Sequence, residues 1–134
     1  MANDKYKVLV VDDEEDILEF LSFALQKDGF EVKTTTSGIK AIPLAQEYKP
    51  DIIILDVMMP GIDGIETCTE LRAIKELENT MIVFLTARNE DYSQIAGFNA
   101  GADDYVSKPI KPKVLSSRLN ALLRRRVSTS QGIV

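Results

Sequence analysis

The sequence predicts an α/β domain in which five parallel strands alternate with five helices. Short apolar runs recur along the chain, and those at residues 52–55 and 81–85 are hydrophobic without alternation, which is typical of parallel strands covered on both faces. Apolar residues between such runs recur at helical spacing, as Leu18, Leu21 and Leu25 do. This alternation predicts a doubly wound sheet with right-handed crossovers and the strand order 2-1-3-4-5.

The first half of the chain contains three predicted strands separated by two helices. Gly29 ends helix 1, because glycine tolerates the left-handed backbone that often follows a helix. Ser37 is a typical helix cap and begins helix 2, which contains Pro43. Strand 2 is more polar than the others, as suits a sheet edge. The predicted bounds are residues 7–11 for strand 1, 31–35 for strand 2, about 38–48 for helix 2 and 51–55 for strand 3.

The second half of the chain contains three predicted helices and two strands. Helix 3 begins at Asp63 or Gly64, and helix 4 has few apolar residues beyond Ile95 and Phe98. Because its apolar face is thin, helix 4 is the element expected to shift most easily. The remaining predicted bounds are residues 81–85 for strand 4, about 90–99 for helix 4, 105–107 for strand 5 and about 112–126 for helix 5.

Length and composition indicate one globular domain over residues 1–126, followed by a linker or tail at residues 127–134. The 134-residue chain is 45% hydrophobic and 28% charged, which is ordinary for a folded domain. Its net charge of -5 argues against binding of nucleic acid or of an anionic membrane by this domain. A single cysteine, Cys68, and the lack of a membrane-length apolar stretch or signal peptide predict a cytoplasmic protein. The absence of histidine excludes histidine-based catalysis.

Polar side chains follow four of the five predicted strands at the point where each strand ends. Asp12 and Asp13 follow strand 1, Asp56 follows strand 3, and Thr86 and Lys108 follow strands 4 and 5. The carboxyl ends of parallel strands meet at one edge of a sheet, and strands 1 and 3 are neighbours in the predicted order. We therefore expect these side chains to converge.

Each of these residues alone has a simpler structural explanation. Acidic residues favour a helix N-terminus, an aspartate often ends a strand, a threonine is common in loops, and a lysine is often a solvated charge. Three converging carboxylates, however, repel one another unless a cation joins them. Mg²⁺ binds carboxylate oxygens and keeps positions for phosphate, which a lysine neutralises as a point charge. The set therefore predicts a phosphoryl-transfer site with Asp56 as the nucleophile.

Four stretches of the sequence resemble the response-regulator receiver domains of two-component signalling. They are VVDDE at residues 10–14, ILDVMMPGIDG at 54–64, LTA at 85–87 and GADDYVSKP at 101–109. The resemblance extends from Val8 to Arg126 and implies a flavodoxin-like fold. It also implies that Asp56 accepts a phosphoryl group from the phosphohistidine of a sensor histidine kinase or of a phosphotransfer protein.

The resemblance assigns further roles around Asp56. Asp13, Asp56 and the backbone carbonyl of Met58 would bind Mg²⁺, or Mn²⁺ in its place. Asp12 would act on the metal through a water molecule. Lys108 would pair with the phosphoryl oxygens, next to a cis bond to the following proline.

The residues that would read the phosphoryl group form a second implied set. Thr86, with Ala87 beside it, would contact the phosphoryl oxygens, and Tyr105 would rotate inward into the space that is vacated. A plain, half-buried strand aromatic is the alternative for Tyr105. Met58 and Arg88 occupy the positions that tune loss of the phosphoryl group. Since neither is a good general base, a long-lived phosphorylated state is expected.

The surface formed by helix 4, strand 5 and helix 5 resembles the dimer face of OmpR/PhoB-like regulators. One ion pair of that face has no counterpart, because Gln94 or Ala96 stands where a basic residue is expected and Val114 where a glutamate is expected. Basic residues at the end of helix 5 also have a simpler explanation in the helix dipole. The residues that match the dimer face are Asp103, Asp104, Arg118, Arg124 and Arg125.

The resemblance predicts a switch that controls an output, such as transcription through an effector domain, and not an enzyme with a separate substrate. A stand-alone receiver that acts through protein contacts is the alternative. An aspartyl-phosphate phosphatase is disfavoured, because such enzymes carry an acid/base aspartate at the position of Met58. A flavin carrier is disfavoured, because an acidic run at residues 12–16 would repel a flavin phosphate. The complete set of site residues argues against an interaction module that is never phosphorylated.

Overall fold

The computed structural model of the chain describes residues 5–87 and 100–130, with side chains as far as Arg126. Predicted helix 4, with Ile95 and Phe98, lies outside the described residues. Among the described helices, none combines the length and apolar character needed to cross a membrane. The elements are β1 (Lys7–Val11), α1 (Glu15–Lys27), β2 (Glu31–Thr35), α2 (Gly38–Tyr48), β3 (Ile52–Asp56), α3 (Gly64–Arg72), a 3-10 helix (Lys75–Leu77), β4 (Met81–Thr86), β5 (Asp104–Ser107) and α4 (Pro112–Ser130), which is predicted helix 5.

The five strands form one parallel sheet in the order β2-β1-β3-β4-β5, which confirms the predicted fold class and strand order. The register aligns the strand ends. Val11 at the end of β1 lies opposite Leu55 of β3, and Asp56 lies opposite Leu85 of β4. The residues that follow β1, β3 and β4 therefore emerge side by side at the carboxyl edge of the sheet.

Hydrophobic layers on both faces of the sheet enclose β3. Ile52 and Ile54 pack with α1 and α4 on one face, and Ile53 and Leu55 pack with α2 and α3 on the other. All four side chains are fully buried, and burial of each contributes about 1.5–3 kcal/mol relative to exposure. Burial on both faces explains why this strand is apolar without alternation. It also fixes the backbone that carries Asp56.

The helix ends confirm three of the predicted signals. Ser37 Oγ accepts a hydrogen bond at 3.2 Å from a backbone N–H in the first turn of α2, which contains Pro43. Gly29 follows α1 with a φ of +96°, in the left-handed region where a side chain is strained. Asp63 caps α3 in a capping box that Glu66 completes.

The structure corrects several predicted boundaries. β3 begins one residue later than predicted, at Ile52, and ends one residue later, at Asp56, because Asp56 still pairs with Leu85 in the ladder. β4 extends one residue further, to Thr86. β5 starts one residue earlier, and the 3-10 helix before β4 was not predicted. α4 continues to Ser130, since no proline or glycine interrupts the chain before Gly132. The assignment of residues 127–134 to a linker or tail stays a prediction.

Candidate functional site

Asp56 is the last residue of β3 and is only 4% exposed. Its Oδ1 atom accepts a hydrogen bond at 3.3 Å from the backbone N–H of Met58, whose side chain is exposed. The loop after Asp56 returns to the strand end, where the Gly64 N–H donates to the Val57 carbonyl at 3.0 Å. A Cβ atom at Gly64 would collide with the Asp56 carbonyl oxygen, so the close approach of α3 requires a glycine.

Asp12 and Asp13 follow β1 and lie beside the end of β3. Asp12 is fully buried, and its Oδ1 atom accepts a hydrogen bond at 2.9 Å from the backbone N–H of Glu14. The Asp12 Oδ2 atom is buried without a hydrogen-bond partner among the described residues, whereas Asp13 is exposed. One carboxylate oxygen from each of Asp12, Asp13 and Asp56 lies within 4.8 Å of the other two. The structure thus brings the three carboxylates together.

Lys108 follows β5 and places a cation beside these carboxylates. Its Nζ atom lies 3.6 Å from Asp12 Oδ2, 3.6 Å from Asp56 Oδ2 and 3.8 Å from Glu14 Oε1. The Lys108 backbone N–H donates to the Thr86 carbonyl at 2.7 Å, which continues the β4–β5 ladder past its last residue. The peptide bond to the following proline is cis, as expected from the resemblance.

Burial and mutual repulsion perturb the ionisable groups of this cluster. Burial raises the pKa of Asp56 to about 6, with the nearby Asp12 charge adding to the effect and Lys108 opposing it. Burial also raises the pKa of Asp12, against the hydrogen bond from Glu14 and the charge of Lys108. Burial alone would lower the pKa of Lys108, but the combined attraction of Asp56, Asp12 and Glu14 raises it. The cluster carries more negative charge than one ammonium group neutralises.

The donor set fits a hard divalent cation such as Mg²⁺. Three carboxylates converge, and the buried Asp12 Oδ2 atom lacks a hydrogen-bond donor among the described residues. Mg²⁺ binds oxygen ligands, uses one or two carboxylates directly and keeps several waters. Its charge would favour the ionised form of carboxyl groups that burial otherwise disfavours.

Thr86 is the last residue of β4, and Tyr105 lies on the same face of the sheet near the start of the neighbouring β5. Thr86 is fully buried, and its Oγ1 atom has no hydrogen-bond partner within the described part of the chain. Tyr105 is 9% exposed, and its ring stacks on Phe84, its partner in the β4–β5 register, at 5.6 Å between centroids. The tyrosine is thus more deeply buried than a half-exposed strand aromatic would be. Ala87 follows Thr86 and is exposed.

Three of the residues assigned to a dimer face, Asp103, Asp104 and Arg118, are paired within the chain. Arg72 Nη2 donates to Asp103 Oδ2 at 2.7 Å, and the same oxygen accepts from the Ile82 backbone N–H at 2.8 Å. Arg118 Nη1 donates to both carboxylate oxygens of Asp104, at 3.0 and 3.1 Å. A dimer that uses Asp103 or Asp104 must therefore exchange these internal bonds for bonds to the partner.

The other assigned positions are solvent-facing or lie outside the described residues. Val114 is 47% exposed on α4, so it presents apolar surface where the dimer face was expected to carry a glutamate. Arg124 and Arg125 are exposed near the end of the same helix. The positions outside the described residues are Arg88, Gln94 and Ala96.

Sequence reasoning missed the contributions of three residues. Glu14 belongs to an acidic run that is explained by the favourable effect of negative charge at a helix N-terminus. Its contact with Lys108 was therefore not predicted. Arg72 donates to the carbonyls of Thr80 and Gly101 at 2.6 and 2.9 Å and so ties α3 to the chain before β5. No local pattern signals such a long-range contact. Gly64 was a predicted helix start, but its approach to Asp56 depends on tertiary packing.

Comparisons with known proteins identify the family. Residues 8–120 match the family model described as the response regulator receiver domain. The alkaline phosphatase synthesis transcriptional regulatory protein PhoP of Bacillus subtilis is 44% identical over 119 residues, which cover 89% of this chain and 49% of that protein. The transcriptional regulatory protein AfsQ1 of Streptomyces coelicolor is 43% identical over 118 residues, which cover 88% of this chain and 51% of that protein. The chain thus spans about half the length of both relatives.

A solved structure agrees with this identification. The response regulator DrrB of Thermotoga maritima, described as an OmpR/PhoB homologue, superposes with a TM-score of 0.79 at 37% identity, covering 91% of this chain and 54% of that one. Domains of the matching family generally bind Mg²⁺ and interact with histidine kinases or phosphotransfer proteins. The family match, the strand order and the converging carboxylates agree with one another. The chain belongs to the response regulator receiver domain family and is a signalling switch of two-component systems.

Proposed function

We propose that Asp56 accepts a phosphoryl group from the phosphohistidine of a sensor histidine kinase or of a phosphotransfer protein. The observation that carries this proposal is the position of Asp56 at the end of a buried strand, 3.6 Å from Lys108 Nζ and within a group of three carboxylates. The domain turns over no separate substrate. Its catalysis is limited to its own phosphorylation and dephosphorylation.

Phosphorylation is a displacement at phosphorus. A carboxylate oxygen of Asp56 forms a P–O bond while the P–N bond of the donor breaks. The electron pair of that bond stays on the imidazole nitrogen, which takes up a proton. Hydrolysis reverses the modification, because water attacks phosphorus, the bond to Asp56 breaks and inorganic phosphate leaves. In both steps Lys108 neutralises the phosphoryl oxygens from its place beside Asp56 Oδ2.

The proposed direct ligands of Mg²⁺ are Asp13, Asp56 and the backbone carbonyl of Met58, with Asp12 acting through a water molecule. The spacing of the three carboxylates supports this assignment, as does the buried Asp12 Oδ2 atom, which accepts no hydrogen bond from the described residues. When bound, the ion supplies positive charge that offsets the carboxylates and the phosphoryl oxygens. Mn²⁺, which also suits carboxylate and water ligands, is the alternative ion.

Thr86 and Tyr105 are the proposed readout of the phosphoryl group. The buried Thr86 hydroxyl, which lacks a partner among the described residues, would donate to a phosphoryl oxygen, with Ala87 moving beside it. This movement favours the inward, stacked position of Tyr105 and changes the surface formed by predicted helix 4, β5 and α4. Met58 and Arg88 tune the lifetime of the modification. Loss of the phosphoryl group within a few seconds would contradict the expected long-lived state.

We assign the output to transcription control through an effector domain. The two curated relatives are transcriptional regulatory proteins about twice as long as this chain. In this proposal the acidic receiver binds neither nucleic acid nor membrane, acts in the cytoplasm and forms a homodimer when phosphorylated. Asp103, Asp104 and Arg118 would exchange their internal bonds for bonds across the dimer, and Arg124 and Arg125 would join them.

Intact-mass spectrometry after incubation with acetyl phosphate and Mg²⁺ tests the proposed acceptor. We expect a phosphoryl adduct on the wild-type chain and none on Asp56→Asn. The matched control is Asp104→Asn, which removes an aspartate that pairs with Arg118 away from the cluster and should keep the adduct. An adduct that persists in Asp56→Asn would show that another residue is modified.

A further inference from the structure

Glu14 occupies the cap position of α1 but does not cap it. Its backbone is extended, and its carbonyl accepts the first hydrogen bonds of the helix, yet its side chain makes no capping bond. The caps of α2 and α3, Ser37 and Asp63, do accept from the backbone of their own helices. The Glu14 carboxylate therefore does not make the hydrogen bond by which a capping side chain satisfies the helix backbone.

The Glu14 carboxylate instead lies near Lys108. Its Oε1 atom is 3.8 Å from Lys108 Nζ, which is also 3.6 Å from Asp12 Oδ2 and from Asp56 Oδ2. The Asp12 and Asp56 side chains are 0% and 6% exposed, whereas the Glu14 side chain is 64% exposed. Glu14 is thus the solvent-facing member of three carboxylates that share one ammonium group.

We propose that Glu14 is a positioning residue that holds Lys108 toward the outer side of the site and competes for it with the phosphoryl oxygens. The inference rests on the proposed function of Asp56. Removal of the Glu14 charge leaves Lys108 with two buried partners, so transfer of the ammonium group to a phosphoryl group requires less rearrangement. The effect is modest, about two- to fivefold, because one of the paired groups is exposed. High salt should reduce it, because solvent ions screen an exposed carboxylate.

Beryllofluoride, a phosphoryl mimic that binds aspartate with Mg²⁺, tests the proposal at equilibrium. Affinity is measured by NMR titration at saturating Mg²⁺ and low salt. Glu14→Gln should bind beryllofluoride about two- to fivefold more tightly than the wild type. Glu15→Gln makes the same charge change at the next residue, which has no ion pair among the described residues, and should leave affinity unchanged. Equal affinities for Glu14→Gln and the wild type would overturn the proposal.

A double-mutant cycle separates action through Lys108 from direct repulsion of the anion. In a Lys108→Met background, Glu14→Gln should have no further effect on beryllofluoride affinity. A gain that persists there would mean that Glu14 acts without Lys108, against the proposal.

Side-chain ¹³C relaxation of Lys108 in the metal-free protein gives a readout that helix capping would not change. Glu14→Gln should make the terminal methylene of Lys108 more mobile, and Glu15→Gln should not. Unchanged mobility in Glu14→Gln would also contradict the proposal. If the wild type binds no beryllofluoride, the proposed function fails, and the relaxation measurement alone decides the role of Glu14.

Discussion

At the amino edge of the sheet, Asp51 and Asp103 each pair with a separate arginine. Arg126 donates to Asp51 at 2.8 Å, and Arg72 donates to Asp103 at 2.7 Å. The Asp51 carboxylate also accepts from the Lys7 backbone N–H at 2.8 Å. Charge-assisted hydrogen bonds of this length stabilise a fold because donors and acceptors are matched in number and geometry.

The carboxyl edge has the opposite arrangement. Asp12, Asp56 and Glu14 share the ammonium group of Lys108 at 3.6–3.8 Å, which is longer than a hydrogen bond. Asp12 Oδ2 has no hydrogen-bond partner among the described residues, and Asp13 adds a further charge. The comparison indicates that the paired charges of the amino edge stabilise the fold. The other edge holds crowded negative charge that a divalent cation can relieve.

Removal of an arginine at the amino edge should have the largest effect on stability. Arg72→Ala leaves the Asp103 carboxylate and the carbonyls of Thr80 and Gly101 without their donor. We expect the free energy of unfolding to fall by about 2–3 kcal/mol, measured by urea denaturation. Arg124→Ala, at an exposed position on α4, is the control and should change it by less than about 0.5 kcal/mol. Equal effects of the two substitutions would remove the contrast between the edges.

Neutralisation of an aspartate should change the free energy of unfolding in opposite directions at the two edges. Asp56→Asn removes a buried charge that burial and Asp12 disfavour, so the metal-free protein should become more stable by about 1–2 kcal/mol. Asp51→Asn breaks the pair with Arg126 and should be destabilising. Thermal unfolding in a chelator measures both. Added Mg²⁺ should raise the stability of the wild type more than that of Asp56→Asn. If Asp56→Asn were destabilising without metal, the ionised Asp56 carboxylate would not be unfavourable in the folded state.

The unfavourable charge at the carboxyl edge should also make the stability of the folded protein depend on pH. The pKa of folded Asp56 is about 6 against an ordinary value of 3.8, so the folded state keeps a proton that the unfolded state releases. This contribution to stability is complete below about pH 4 and is lost as the pH rises through 6. In a chelator, the stability of the wild type relative to Asp56→Asn should fall by about 2 kcal/mol between pH 4 and pH 7. A flat or rising difference would place Asp56 in a less buried environment.

The smallest effect on stability is expected for the exposed Arg118–Asp104 pair, which lies on the surface formed by predicted helix 4, β5 and α4. Arg118 and Asp104 are joined at 3.0 Å, but the Arg118 side chain is 48% exposed. Arg118→Ala should lower the free energy of unfolding by less than about 1 kcal/mol. The same substitution should weaken dimerisation of the phosphorylated domain, measured by analytical ultracentrifugation. Unchanged dimerisation would exclude Arg118 from the interface.

The fold was predictable because its signals are local. The apolar run that forms β3 showed burial on both faces, and Gly29, Ser37 and Asp63 marked helix ends. The boundary errors arose where tertiary pairing extends an element, as it does when the ladder carries β3 to Asp56. The length of α4 was also underestimated, because a polar sequence without proline or glycine remains helical when the preceding turns are anchored.

The site was predictable from the topology, since strand order alone brings the ends of β1 and β3 together. Distances and pairings were not predictable. Asp103 matched a dimer contact in sequence, but the structure uses it internally, with Arg72 and the Ile82 backbone. Glu14 was explained by the start of a helix, and only the position of Lys108 reveals its second contact. Contacts of this kind depend on how separate elements pack.

The central claim is that the carboxylates at the carboxyl edge bind a divalent cation and that Asp56, one of them, accepts a phosphoryl group with its help. Its most direct test is borohydride reduction of the domain after treatment with acetyl phosphate, because reduction converts an aspartyl phosphate to homoserine. Peptide mapping should find homoserine at position 56 in the presence of Mg²⁺ and unchanged aspartate there when the metal is chelated. Homoserine at another position, or at position 56 regardless of metal, would contradict the account.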